Sequence, residues 1–130
     1  MRIKAIHHIA ILTDQDNYER SKLFYTEILG FSIIRETYRE ARDSYKLDLA
    51  IAGRYQIELF SFPDYRDRAS YPEARGLRHL AFAVDNVEEA AEELRSKGVP
   101  VEAVRLDELT QRKFVFFTDP NGQPLELYEE

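Results

Sequence analysis

Apolar and polar residues alternate in eight short segments of the chain, and in two longer segments the apolar residues recur at helical spacing. The alternating segments lie near 4–13, 31–39, 45–52, 55–62, 77–84, 100–105, 113–118 and 124–129, and the helical segments near 16–29 and 86–97. Alternation predicts β-strands, and helical spacing predicts amphipathic helices. The order strand, helix, strand, strand, strand therefore occurs twice.

Each predicted helix ends at a glycine, Gly30 or Gly98, a residue suited to the left-handed turn after a helix. Between the two halves, the stretch from 64 to 76 is polar, has no consistent period and ends at Gly76. The pattern predicts a single domain over 1–130. Its first module covers about 1–63, its linker about 64–76 and its second module about 77–130.

Four polar side chains stand between apolar neighbours in these strands: His8, Glu58, His79 and Glu126. Successive residues of a strand point to opposite faces. The apolar pairs Ile9/Ile11, Ile57/Leu59, Leu80/Phe82 and Leu125/Leu127 share the face that these four side chains avoid. The same parity directs His7 away from His8, so we expect His7 to face a helix or an edge and not to be a ligand.

The two halves carry their histidine and glutamate at matching positions. The segment from His8 to Asp14 aligns with that from His79 to Asp85, and 50 residues separate His8 from Glu58 where 47 separate His79 from Glu126. A glutamate on the polar side of a strand is usually a solvated carboxylate. Recurrence of the pair in a duplicated unit instead indicates a site, because imidazole and carboxylate bind zinc, nickel, cobalt, iron and manganese.

Composition narrows the function classes. The chain has 130 residues, a formal charge of −6 and no cysteine. The charge disfavours nucleic acid and anionic membranes as partners, and a metal here would need nitrogen and oxygen ligands. No apolar run approaches the length of a membrane span, and Met1 to Lys4 lead into strand-like sequence without a signal-peptide core. We expect a cytoplasmic location.

Three motifs make the chain similar to the vicinal oxygen chelate superfamily, the group of glyoxalase I, bleomycin-resistance proteins and extradiol dioxygenases. They are Gly76-Leu-Arg-His79-Leu-Ala-Phe-Ala-Val-Asp-Asn86, Thr118-Asp-Pro-Asn-Gly122-Gln-Pro-Leu-Glu126-Leu and Phe24-Tyr25-Thr-Glu-Ile-Leu-Gly-Phe31. The resemblance spans nearly the whole chain. It implies an α+β fold of two tandem βαβββ modules that form a curved mixed sheet around a metal cavity.

The resemblance carries the family's metal ligands onto His8, Glu58, His79 and Glu126, in the first and fourth strands of each module. It implies one divalent metal ion, Zn, Ni, Co, Mn or Fe. The full set resembles the glyoxalase I branch. Fosfomycin-resistance members lack a glutamate at the position of Glu58, and bleomycin-binding members lack the metal set.

The glyoxalase I branch implies proton transfer next to a carbonyl through a metal-chelated enediolate, with Glu126 as the first choice of base and Glu58 as the second. Lactoylglutathione lyase is the leading specific activity, with glutathione as a possible cosubstrate. Two residues depart from the bacterial pattern: Leu12 stands where an arginine is common, and Phe62 where an asparagine is expected. The cavity is thus more apolar than glutathione favours.

Two other functions stay open at this point. A binding protein of the resistance type would use the cavity without chemistry, and a dioxygenase would need redox-active iron or manganese with a position for oxygen. In all three cases the partner is a small molecule. Family members build the site within one chain or across a twofold axis, and we expect a homodimer.

Two further segments and the aromatic residues carry expectations. The charged stretch 38–46 is predicted to be a solvated loop, or else a lid whose Arg39, Arg42 or Lys46 meets an anionic substrate group. Asp119 to Gln123 has the sequence of a type I turn. Among the aromatic residues, Phe24, Phe31, Phe82 and Phe117 are predicted to lie in the core, and Phe60, Phe62 and Tyr128 to line the cavity.

Overall fold

A computed structural model describes residues 1–69, 71 and 73–130, which form two compact units, Met1–Arg66 and Asp67–Glu130. The first unit contains β1 (Ile9–Asp14), α1 (Tyr18–Leu23), a π-helical continuation (Phe24–Ile28), β2 (Ser32–Arg39), a 3-10 turn (Glu40–Arg42), β3 (Ser44–Ile51) and β4 (Arg54–Phe62). The second contains β5 (Leu80–Val84), α2 (Val87–Ser96), β6 (Arg105–Leu106), β7 (Lys113–Thr118) and β8 (Pro124–Glu129). The predicted α+β fold of two tandem βαβββ modules is confirmed.

Each module folds into a four-stranded mixed sheet with the same strand order, β1-β4-β3-β2 in the first and β5-β8-β7-β6 in the second. The first and fourth strands of each module pair in parallel, and the remaining neighbours are antiparallel. The register also repeats: Ala10 pairs with Glu58, and Ala81 with Glu126. The internal duplication in the sequence is therefore a duplication of strand order and register.

The first strand of each module begins later than predicted, at Ile9 and at Leu80. Both are edge strands with one partner, and pairing begins at Ile9 with Ile57 and at Leu80 with Leu125. His8 and His79 therefore stand one residue before their strands.

The prediction of a strand at 100–105 is also wrong in part. It is reduced to Arg105–Leu106 and an isolated bridge from Val101 to Phe117, beside Pro100, which has no N–H to donate to a ladder.

The helices cover one face of each sheet and bury the apolar side of the strands. In the first module Tyr25, Leu47, Leu49, Ile57 and Leu59 are almost fully buried, and in the second Val87, Ala91, Val115 and Leu125. Phe24 and Phe117 lie in the core as predicted, while Phe31 and Phe82 are half-buried. Among the described residues, no helix is both long and apolar enough to cross a membrane.

The predicted glycine stops are present, because Gly30 and Gly98 both have left-handed backbone angles, with φ of +76° and +82°. Asn86 caps the N-terminus of helix α2, because its side-chain oxygen accepts a hydrogen bond from the Glu89 N–H at 3.0 Å. The predicted turn at 119 also forms: the Gly122 N–H donates to the Asp119 carbonyl at 3.1 Å. It leads directly into β8, the strand that carries Glu126.

Candidate metal centre

In the first module, β1 and β4 bring His8 beside Glu58. Ala10 pairs with Glu58, so these two residues share a sheet face, and His8 stands one residue before the strand. His8 Nε2 is 3.4 Å from Glu58 Oε2. The carboxylate is buried, with Glu58 only 9% exposed, while His8 is exposed.

The second module repeats this arrangement with His79 and Glu126. Ala81 pairs with Glu126, His79 precedes Ala81 by two residues, and His79 Nε2 is 3.0 Å from Glu126 Oε2. Glu126 is buried, at 8% exposure, and His79 is half-buried. Each predicted histidine therefore lies beside the predicted glutamate of its own module.

The donor separations suit a shared metal ion. Imidazole nitrogen and carboxylate oxygen bind zinc at about 2.0–2.2 Å, so two such donors on one ion are separated by about 3 Å. The observed separations of 3.4 and 3.0 Å agree with that value. Among the described residues, no three or more His, Asp or Glu side chains cluster around one point, and each module supplies a pair of donors.

The second oxygen of Glu58 is occupied by two side chains of its own sheet. Lys46 Nζ lies 2.9 Å from Glu58 Oε1, and the Tyr55 hydroxyl donates to the same oxygen. Burial opposes ionisation of Glu58, but the hydrogen bonds from Tyr55 and Lys46 outweigh it and hold the pKa of Glu58 below its ordinary value. Glu58 is thus a fixed, ionised carboxylate with its Oε2 atom facing His8.

Lys46 also reaches a second buried carboxylate. Its Nζ is 3.2 Å from Asp48 Oδ1, and Arg35 Nη2 is 3.8 Å from Asp48 Oδ2. Asp48 is 6% exposed and pairs across the strands with Glu58. The hydrogen bond to Glu58 raises the pKa of Lys46, against the opposing effect of partial burial. Lys46 therefore bridges two neighbouring carboxylates, and Arg35 adds a second cation at Asp48.

The second module has aromatic residues at the corresponding positions. Phe116 pairs with Glu126 as Asp48 pairs with Glu58, and Phe114 pairs with Tyr128 as Lys46 pairs with Phe60. The Phe116 ring packs edge-on against His79, with ring centroids 5.0 Å apart. The two modules thus share a histidine–glutamate pair but differ in what surrounds it, with charged side chains around Glu58 and aromatic residues in the strand beside Glu126.

His7 does not follow the predicted strand parity. Its Nδ1 is 2.8 Å from His8 Nδ1, and both rings lie against Tyr55, with centroids 5.4 and 5.5 Å away. The parity argument is wrong here because β1 begins at Ile9, so His7 and His8 precede the extended pairing that alternates side chains.

The charged stretch 38–46 is a hairpin and not the predicted loop. Strands β2 and β3 extend to within one 3-10 turn of each other, and Lys46 belongs to β3. The Arg39 and Arg42 guanidinium carbons lie 5.6 and 5.0 Å from the centroids of the Phe60 and Phe62 rings. These cation–π contacts hold the hairpin tip over the end of β4.

The sequence analysis did not predict that three polar residues lie beside Glu58: Lys46, Asp48 and Tyr55. A signal exists, because Lys46-Leu47-Asp48-Leu49 alternates polar with apolar residues and so presents both charges on one face. The register that faces them to Glu58 depends on the β3–β4 hairpin, whose pairing shifts between Leu49 and Ala50. Sequence periodicity does not supply that shift.

The sequence model of the Glyoxalase/Bleomycin resistance protein/Dioxygenase superfamily matches residues 5–127. The chain belongs to this superfamily. Its members include enzymes such as glyoxalase I, commonly use a divalent metal, bind small molecules and often form dimers.

Individual relatives cover most or all of the chain. The Bacillus subtilis (strain 168) uncharacterized protein YwkD is 56% identical over 130 residues, which is 100% of both chains. A lactoylglutathione lyase of Escherichia coli O157:H7 is 34% identical over 86% of this chain and 84% of its own. The crystal structure of a glyoxalase family protein from Enterococcus faecalis has 45% identity and a TM-score of 0.89, covering 99% of this chain and 100% of that one.

Proposed function

We propose that this superfamily member is a metal-dependent, glyoxalase-like lyase or isomerase. One observation carries the proposal: the two modules present the same histidine–glutamate pair at the same strand register, with donor atoms 3.4 and 3.0 Å apart. Core packing does not require this repetition, since all four side chains lie off the apolar face. His8, Glu58, His79 and Glu126 would hold one divalent ion.

A bound divalent ion would supply Lewis-acid polarisation of two adjacent substrate oxygens. The histidines and glutamates would orient the ion, and one glutamate would move the proton. Two neutral imidazoles and two carboxylates balance a 2+ charge, so the assembled set suits a divalent ion of Zn, Ni, Co, Mn or Fe.

The different surroundings of the two glutamates support a division of roles. Glu58 is bound at Oε1 by Lys46 and Tyr55, so its carboxylate is held in place and its capacity to accept a further proton is reduced. Across the strands, Glu126 pairs with Phe116 where Glu58 pairs with Asp48. We assign Glu126 as the base and Glu58 as a fixed ligand, because the contacts at Oε1 hold the Glu58 carboxylate in place.

The reaction would transfer a proton between neighbouring carbons. Glu126 removes the proton from the carbon that bears a hydroxyl and returns it to the adjacent carbonyl carbon. The hydroxyl proton moves to the former carbonyl oxygen, so that the hydroxyl and the carbonyl exchange places. Electrons and atoms balance within the substrate, so no external oxidant is needed. With a hemithioacetal of methylglyoxal and glutathione, the product is a lactoyl thioester.

Lactoylglutathione lyase is the leading specific activity, supported by the 34% identity to a bacterial lyase over most of both chains. The substitution of Leu12 and Phe62 for the expected polar residues favours smaller or more apolar substrates than a charged tripeptide. Other hydroxycarbonyl compounds therefore belong in the same assay.

We further propose that the chain works as a homodimer. Each module supplies two donors, so a complete site needs two modules, from one chain or from a pair. Strand β2 offers an exposed edge with Ile33 and Ile34, 47% and 53% exposed, which a second copy can cover. Sedimentation analysis tests this, and a monomer at micromolar concentration would overturn it.

The function is tested by elemental analysis of the purified protein, followed by assays of methylglyoxal and glutathione after loading with each candidate metal, with and without oxygen. We expect bound metal and oxygen-independent thioester formation. Oxygen-dependent turnover would indicate a dioxygenase, and failure to bind metal under any loading would indicate a binding protein. Glu126→Gln should retain less than about 1% of the activity, in line with loss of a general base.

A further inference from the structure

The second module has a cavity of about 570 Å³ beside its metal-ligand pair. His79 and Phe116 form part of the lining, so a substrate bound at His79 would extend into this space. The volume is within the range of about 300–1,000 Å³ that small-molecule sites occupy.

Arginine side chains give this cavity its charge. Its lining includes three arginines and two glutamates, which leaves one excess positive charge in a chain whose formal charge is −6. Arg78 is paired with Glu73 at 3.0 Å, and the Arg68 guanidinium donates to the backbone carbonyls of Leu77 and Arg78 at 3.1 and 2.7 Å. Arg68 is therefore bound to the backbone of the lining, and Arg78 already has a carboxylate at a shorter distance than Arg105 has.

Arg105 is held differently. Its guanidinium carbon lies 5.0 Å from the centroid of Phe114 and 5.3 Å from that of Phe116, so two aromatic rings support it. The carboxylate facing it, Glu102, is 3.6 Å away, and both side chains are more than half exposed. A loose, solvated pair of this kind contributes little stability and can be displaced at little cost.

The aromatic rings that support Arg105 also connect it to the candidate ligand His79. Phe116 contacts both groups, because the Arg105 guanidinium carbon lies over its ring and the His79 ring packs edge-on against it. A planar guanidinium in a fixed position suits bidentate binding of an oxyanion.

We propose that Arg105 binds the carboxylate or phosphate of the substrate, and that the enzyme therefore prefers hydroxycarbonyl compounds that carry an oxyanion. This rests on the proposed function for the position of the reacting oxygens, but the oxyanion subsite is a separate property of the second module. The substrate's anionic end lies in the cavity and its oxygen pair at the histidine–glutamate ligands.

Calorimetric titration with two matched pairs of probes tests the proposal: dihydroxyacetone phosphate against dihydroxyacetone, and hydroxypyruvate against hydroxyacetone. Each pair differs in the anionic group, and the two pairs separate phosphate from carboxylate. We expect at least one anionic probe to bind roughly tenfold or more tightly than its neutral partner, as a charge-assisted contact provides. Arg105→Gln should remove this preference and leave the neutral probes unchanged.

Arg112→Gln is the matched control, because Arg112 is an exposed arginine in the turn before β7. It should keep the preference. Equal binding of anionic and neutral probes by the natural protein, or equal effects of the two arginine variants, would overturn the proposal. Metal content and titrations without metal separate the two hypotheses: an oxyanion preference in a protein that binds no metal would refute the proposed function and support the Arg105 subsite.

Discussion

Lys46 Nζ lies 2.9 Å from Glu58 Oε1, on the opposite side of the carboxylate from His8. The same ammonium is 3.2 Å from Asp48, so it contacts two carboxylates that are 9% and 6% exposed. Removing this cation leaves two buried carboxylates with less charge compensation, which costs more than the pair itself contributes. This contact links the stability of the first module to the geometry of its candidate ligand.

Lys46→Met should lower the free energy of unfolding by about 2–3 kcal/mol at pH 7, less than for a fully buried pair because Lys46 keeps a quarter of its exposure. The depressed pKa of Glu58 gives stability that is present above its unfolded value and lost as the pH falls through the folded value. The destabilisation caused by Lys46→Met should therefore shrink below pH 4. Urea unfolding of the natural protein and the variant at pH 7 and below pH 4 measures this difference.

Lys97→Met is the control, because Lys97 forms a pair of similar length with Glu93, at 2.7 Å, on the exposed surface of α2. It should cost about 1 kcal/mol or less. Equal losses in the two variants would contradict a special role of the Lys46 network.

His79→Ala and Glu126→Gln should each lower metal affinity by more than the roughly 10–100-fold associated with loss of an outer partner. For His7→Ala we expect a loss of metal affinity at or below that range, because His7 contacts the candidate ligand His8 and is not itself among the four proposed ligands. Competition with a chromophoric chelator measures the affinity. Equal effects of all three substitutions would refute the ligand assignment.

Glu36 should make the first module sensitive to acid. Its carboxylate accepts hydrogen bonds from Tyr18 at 2.6 Å and Lys22 at 2.8 Å. Burial opposes ionisation of Glu36, but these bonds hold its pKa below the ordinary value. Its contribution is therefore present above the unfolded pKa and is lost as the pH falls through the folded one.

Glu36→Gln should cost about 1 kcal/mol at pH 7 and flatten the decline in stability between pH 5 and 3. Chemical unfolding across that range provides the measurement. A variant whose decline matches that of the natural protein would assign the acid sensitivity to other carboxylates.

Leu59→Ala should lower the free energy of unfolding by about 2–5 kcal/mol, because Leu59 is fully buried in β4. Leu12, in the adjacent strand, is 42% exposed, and Leu12→Ala should change stability by about 0.5 kcal/mol or less. Thermal and urea unfolding compare the two. A large cost at Leu12 would mean that another surface covers this face of β1.

Period-two alternation and the repeated histidine–glutamate spacing determined much of this protein without coordinates. They predicted the two βαβββ modules, and they identified His8, Glu58, His79 and Glu126 as candidates, because strand parity and duplication are written locally in the chain. Each histidine proved to lie beside its own glutamate, since the same parallel register recurs in both modules.

Tertiary structure decided what surrounds those ligands. Lys46 reaches Glu58, and Arg105 reaches Phe116, through pairings between separate strands, and in the first module that register includes a local shift. Tyr55 reaches Glu58 from within the same strand. His7 showed the limit of parity, which holds only where a strand is paired. Alternation assigns a residue to a face, but cross-strand register selects its neighbours, and those neighbours distinguish the charged environment of Glu58 from the aromatic one of Glu126.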